Sequence, residues 1–298
     1  MNHMNNISIL EEKITSLLSD SLNQSIGNVI LLNHPLRIVE ACKSLLSLNL
    51  ENPNEKLIHF LNKISIRDEN NSTIKNNEST YETVSIYQLR DAIEESDIDK
   101  CNHITMDLLQ LSDGKHILEF LLELSLLQSG KSLLMIWSVY KAMNFIGFDS
   151  QNHIKNSILI SCESLILDRF IDTPKKNKKS IDEIFSHCNL HLEELQVIGV
   201  LFEITNTTFI REKNINLNLS LFLSFFDSSI INNNKITTEN NVKVIEKRDE
   251  LLKIINQFNI SSDLILSLNA IRSCMKYSFK HPSGFIEYYI SKIKKLDI

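Results

Sequence analysis

His116, Glu119 and Glu123 are the residues whose types and spacing best fit chemistry. They lie in GKHILEFLLELS, where nearly every other position is Leu, Ile or Phe. Spacing of i, i+3, i+7 places the three in one stripe of a helix. A helix that is apolar all round is expected to be buried, so its polar stripe needs partners or a ligand. Imidazole and carboxylates on one buried face are the ligand types that a divalent metal takes, and burial also tunes them for general acid–base work. The alternative is a structural network, with the stripe paired to Arg or Lys of a neighbouring helix. Lys115 and Lys141 are the nearby cations.

His34 is the expected fourth member of this set. It precedes Pro35, which suits the first turn of a helix over LRIVEACKSLL. An imidazole at a helix N-terminus tends to stay neutral and able to bind metal, although capping or packing would also account for it. Arg37 and Glu40, one turn on, read as a surface pair or as support behind a ligand. The candidate metal set is therefore His34, His116, Glu119 and Glu123. A second candidate is His187, His191 and Glu194, whose HxxxHxxE spacing lines one helix face, with Cys188 beside it. A solvated face accounts for this second group equally simply. The spacing differs from HExxH, and the sequence contains no GxGxxG, Walker loop, GxSxG or CxxC.

The segment HPLRIVEACKSL around His34 is similar to the HPL-type helix start of the questin-oxidase-like family. HILEFLLEL around His116 resembles a later His-bearing helix of the same family. The resemblance implies an all-helical protein holding non-haem iron through several histidines and a modified lysine. It also implies oxygen-dependent oxidation and ring opening of polycyclic aromatic substrates.

Helices must position all of these groups. Six Gly and four Pro in 298 residues favour long helices over a turn-rich sheet protein. Residues 112–148 form the most apolar stretch, two segments hinged at Gln128-Ser129-Gly130, and this hairpin is the expected core. Helical spacing recurs over residues 7–26, after Pro35, after Pro53, over 84–111 in two pieces broken near Ser96-Asp97, and over 151–171. Ser180-Ile181-Asp182-Glu183 is a capping-box pattern opening a helix through residue 205. Residues 215–223 (INLNLSLFL) alternate with period two and fit a strand or a short helix. Further helices are expected over 242–258, 262–278 and from Ser283, with polar loops at 67–80, 172–179 and 227–241. The fold class is all-α: a single multi-helix domain of packed helical hairpins. Residues 1–172 form an N-terminal helical core and 180–298 a C-terminal part, with room for a looser C-terminal subdomain.

Bulk properties narrow the function. A net charge of −6 argues against phosphate-neutralising nucleic-acid binding and against an anionic membrane surface. Glu119, Glu123 and Lys141 fall inside the hydrophobic hairpin and its halves are short, so it is not read as membrane-spanning. Five dispersed cysteines and an N-terminus without a signal-like apolar run fit the reducing cytoplasm. Two functions follow. One is a metal-dependent oxidoreductase, with iron favoured, a buried site in which His116, Glu119 and Glu123 are catalytic, and a small-molecule substrate. The other is a non-catalytic helical interaction or scaffold protein with a protein partner.

Overall fold

Gly130 marks the turn on which the first half of the molecule is built. In the computed structural model it adopts φ = 107°, a left-handed conformation that a residue with a Cβ rarely takes. The chain reverses there between two buried helices. The structure describes residues 2–24, 31–64, 66, 84–168, 180–182, 184, 191–230 and 244–277. Throughout these residues the fold is all-α, with packed helices and no strand. The chain divides into two compact units: residues 1–40, 65–170 and 209–212 form the first, and residues 41–64, 171–208 and 213–298 the second.

The first unit contains α1 (Asn2–Leu22), a 3-10 turn (Leu31–Asn33) and the start of α2 (Pro35–Leu46). It continues with α4 (Ile86–Glu94), α5 (Ile98–Leu111), α6 (Gly114–Ser125), α7 (Lys131–Ile146) and α8 (Gln151–Leu167). Short polar residues start these helices. Ser85 and Gln88 close a reciprocal capping box on α4, and Asp97, Asp113 and Ser150 accept first-turn amides of α5, α6 and α8. Ser96 takes φ = 59° at the break between α4 and α5.

Helix α7 is buried on all sides from Ser132 to Tyr140, and it packs against α8, α6 and α1. A helix in that position cannot leave its first amides to water. Asp168, just past the end of α8, supplies the acceptor: its Oδ2 takes hydrogen bonds from Ser132 N at 2.9 Å and Ser132 Oγ at 2.8 Å. Ser129 Oγ donates to the other oxygen. The carboxylate therefore caps α7 from a different helix and matches the positive end of its dipole. Asp168→Ala is expected to lower stability by about 1–2 kcal/mol, the usual value of a lost N-cap, read as a lower urea midpoint at unchanged slope.

The second unit holds the rest of α2, α3 (Glu55–Lys63), α9 (Leu192–Thr205), α10 (Glu212–Ile230, which starts at residue 213 within this unit), α11 (Val244–Gln257) and α12 (Ser262–Tyr277). Its tightest pairing is α9 on α12. A Cβ built at Gly199 would lie 3.1 Å from both the Cα and the carbonyl oxygen of Ala270. Backbone cannot swing aside as a side chain can. Gly199→Val is expected to destabilise by about 1–3 kcal/mol through overpacking, despite the better helix propensity of residues other than glycine. Thermal unfolding of the variant checks it.

Residues 215–223 are helical, within α10. Ile215, Leu219, Phe222 and Leu223 are buried, whereas Leu217, which a strand would turn to the same face, is 62% exposed. Residues 227–230, expected as loop, also continue α10. The expected loops at 67–80 and 172–179, the rest of the 227–241 loop and the helix from Ser283 lie outside the described residues, as does Glu183 of the capping-box pattern. No helix among the described residues is long and apolar enough to cross a membrane.

Candidate functional site

Helix α6 begins at its Asp113 cap and presents His116, Glu119 and Glu123 along one face, as their spacing requires. What they meet is Arg211, in the short segment before α10. Arg211 Nε and NH2 both donate to Glu123 Oε2, at 2.9 and 2.8 Å, and NH1 lies 3.3 Å from His116 Nε2. The backbone N–H of Arg211 donates to Glu119 Oε2 at 2.9 Å. The guanidinium also stands over the Phe120 ring, 5.1 Å from its centroid, a cation–π arrangement.

Tyr140 of α7 completes the cluster by donating its hydroxyl to Glu119 Oε1 at 3.2 Å. Burial first, and the Glu119 carboxylate second, push the Tyr140 phenol well above its ordinary pKa, so it remains a donor. Phe209 closes the apolar end. Its ring centroid is 5.7 Å from that of Tyr140 and 6.3 Å from that of Trp137, and those two rings stack on each other at 5.6 Å.

Donor and acceptor chemistry fixes the protonation pattern. A guanidinium offers only N–H donors, so His116 Nε2 must accept, and the ring hydrogen then belongs on Nδ1. Both oxygens of Glu119 are occupied and its side chain is fully buried. The side chains of Arg211 and Glu123 are only 13% and 15% exposed, so their pairing is little screened by solvent. Arg211 thus sits amid two carboxylates and an imidazole. A dication drawn to the same carboxylates would have to sit beside the guanidinium, and no group of three or more His, Cys, Asp or Glu among the described residues is arranged to hold a metal.

His34 is buried but turned elsewhere. Its Nδ1 accepts from Leu36 N at 3.2 Å, and the remaining ring hydrogen on Nε2 points to Gln24 O at 3.4 Å. Both nitrogens are used, so the expected junction of His34 with the α6 stripe is corrected: it caps α2 and the chain before it. Comparison with protein-family models, curated proteins and solved structures gives no match.

Burial, reinforced by the charge of Arg37 and opposed by the Gln24 hydrogen bond, lowers the His34 pKa to about 4. Above its ordinary value of 6.5 the ring is neutral in folded and unfolded chains alike. Between pH 6.5 and about 4 the unfolded chain takes up the proton and the folded one does not, so stability falls as pH falls. The loss reaches about 3 kcal/mol at one pKa unit per 1.36 kcal/mol. His34→Gln should flatten that part of the profile relative to wild type, measured by urea unfolding at a series of pH values.

The other expected groups are placed differently. Lys141 pairs with Glu40 at 2.9 Å rather than with the α6 stripe. Arg37 and Glu40 are both buried, not a surface pair, and Arg37 donates to the Leu32 carbonyl. His191 is the N-cap of α9, and Glu194 accepts its backbone N–H at 2.6 Å. His191 and Glu194 therefore form a cap instead of lining a helix face; His187 and Cys188 lie outside the described residues. In the second unit Glu203 Oε1 accepts from Arg272 NH2 at 2.7 Å and from Ser273 Oγ at 2.6 Å. Each buried carboxylate among the described residues, Glu40, Glu119 and Glu203, is thus engaged by a cation, a hydroxyl or an amide.

Proposed function

We propose that this chain is a non-catalytic helical interaction protein, in which the His116, Glu119 and Glu123 stripe belongs to the fold and not to a reaction centre. The observation that carries this reading is Arg211, whose guanidinium and backbone amide use the acceptors that a metal or substrate would need. A carboxylate holding a guanidinium in a dry setting is poorly available as a base or a ligand. The expected partner is a protein, in keeping with a net charge of −6 that disfavours nucleic acid and anionic membrane. Free, buried thiols at Cys42, Cys101, Cys162 and Cys274 are consistent with a cytoplasmic setting.

The test is metal analysis of protein purified without chelator, alongside His116→Ala. Substoichiometric metal in both preparations is expected. Stoichiometric iron or another divalent metal in the wild type, lost in His116→Ala, would overturn the reading and restore the metal-dependent oxidoreductase that the questin-oxidase-like resemblance implies.

A further inference from the structure

Helices α5 and α8 pack on each other within the first unit, and two cysteines meet where they do. Cys101 of α5 and Cys162 of α8 are both fully buried and unbridged, and their side chains are hydrogen-bonded to each other. The Cys162 thiol donates to the Cys101 sulfur. That bond holds the Cys101 thiol below its ordinary range, against the effect of burial. Burial above all, and then the same bond, push the Cys162 thiol well up, so the proton stays on Cys162. One sulfur is thus prepared as a nucleophile, with a second thiol beside it to receive the bond. Cys42 is placed differently: its thiol donates to the Leu57 carbonyl at 3.8 Å, and burial pushes it up, as it does Cys274.

Access to Cys101 runs through the end of a helix. Cys101 lies in the first turn of α5, where its N–H donates to the Asp97 carbonyl at 3.0 Å, and residues 94–100 before it are all exposed. Terminal turns open at far lower cost than helix interiors, so fraying at the start of α5 brings Cys101 to solvent while the rest of the unit stays folded. We propose that Cys101 and Cys162 are an oxidisable thiol pair, which a peroxide converts to an intramolecular disulfide that fastens the start of α5 to α8. The proposal does not depend on the interaction reading above. The Cys101 thiolate attacks the O–O bond of hydrogen peroxide and becomes a sulfenic acid, and the leaving hydroxide takes the proton of the former thiol as water. The Cys162 sulfur then attacks the Cys101 sulfur, the S–S bond forms, the S–OH bond breaks, and the departing hydroxide takes the Cys162 proton as a second water. Two thiols lose two electrons and two protons, and one peroxide becomes two waters. In a reducing compartment such a bond is transient and is reversed by exchange with thiols.

The experiment treats the reduced full-length chain with hydrogen peroxide at neutral pH without denaturant. The remaining thiols are then alkylated after unfolding and mapped by mass spectrometry. One bond within the chain is expected, from Cys101 to Cys162, with a mass loss of about 2 Da that dithiothreitol reverses, while Cys42 and Cys274 are alkylated. The mass loss should vanish in Cys101→Ala and in Cys162→Ala and persist in Cys42→Ala. The wild-type map stands on its own if either of the first two variants does not fold. The oxidised chain should also unfold at a higher urea midpoint than the reduced one, because the bond closes a long loop in the unfolded chain. Alkylation of both thiols after peroxide, sulfinic acid at Cys101 in place of the bond, a bond from Cys101 to another cysteine or another chain, or a bond formed only in urea would each overturn the assignment. An unchanged or lower midpoint would overturn the fastening of α5 to α8.

Discussion

Arg211→Ala is expected to lower the unfolding free energy by about 3–5 kcal/mol, the range for removing one member of a buried ion pair. Without the guanidinium, Glu123 loses the cation paired with it beside fully buried Glu119, and Phe120 loses the group over its ring. The backbone N–H of residue 211 can still reach Glu119, so the variant keeps part of the arrangement. Arg211→Lys retains the charge but not the two N–H groups that converge on Glu123, and should be milder, at about 1–2 kcal/mol. Neutralising the acid as well, in Arg211→Ala/Glu123→Gln, should recover part of the loss. Urea unfolding monitored by far-UV circular dichroism distinguishes the three variants.

Arg272→Ala is expected to be as damaging, again by about 3–5 kcal/mol, but in the second unit. Glu203 is buried and accepts from both Arg272 and Ser273 through one oxygen, while Arg272 is steadied by Asn269 at 2.9 Å. Removing the guanidinium leaves the acid with only the Ser273 hydroxyl among these bonds. The pair as a whole contributes far less than that loss suggests, because both ions were taken out of water to make it. Arg272→Met/Glu203→Met should therefore lie within about 1 kcal/mol of wild type, or above it. Circular dichroism melts of the single and double variants make the comparison.

Local features of the sequence located most of the helices. Ser85 with Gln88, Asp97, Asp113 and Ser150 are cap residues whose side chains satisfy amides within a turn, so each start was legible without tertiary context. Residues 215–223 fit both a strand and a helix because leucine and isoleucine at every second position also include a helical set, and only the exposure of Leu217 separates the two periods. The α6 stripe was legible from its spacing, but its counterpart was not. Arg211 lies 88 to 95 residues along the chain from Glu123, Glu119 and His116, and Phe-Ile-Arg-Glu carries no motif of its own.

Lys141 looked suitable by proximity to the hairpin. It follows Tyr140 by one residue, which on a helix turns it about 100° away from the residue that does face Glu119, and it reaches Glu40 instead. His34 looked like a ligand because nothing in NHPLR reveals that Gln24 O and Leu36 N are its hydrogen-bonding partners. In each case residue type and spacing were readable, while the choice of partner was made by packing between distant segments.

The central claim is that the α6 acceptors are committed to Arg211. A double-mutant cycle on Glu123→Gln and Arg211→Gln, run in chelator, tests it most directly. The expected coupling is about 1.5–3 kcal/mol, unchanged when divalent metal is added. Coupling near zero, or a wild-type stability that rises with added metal and loses that rise in Glu123→Gln, would contradict it.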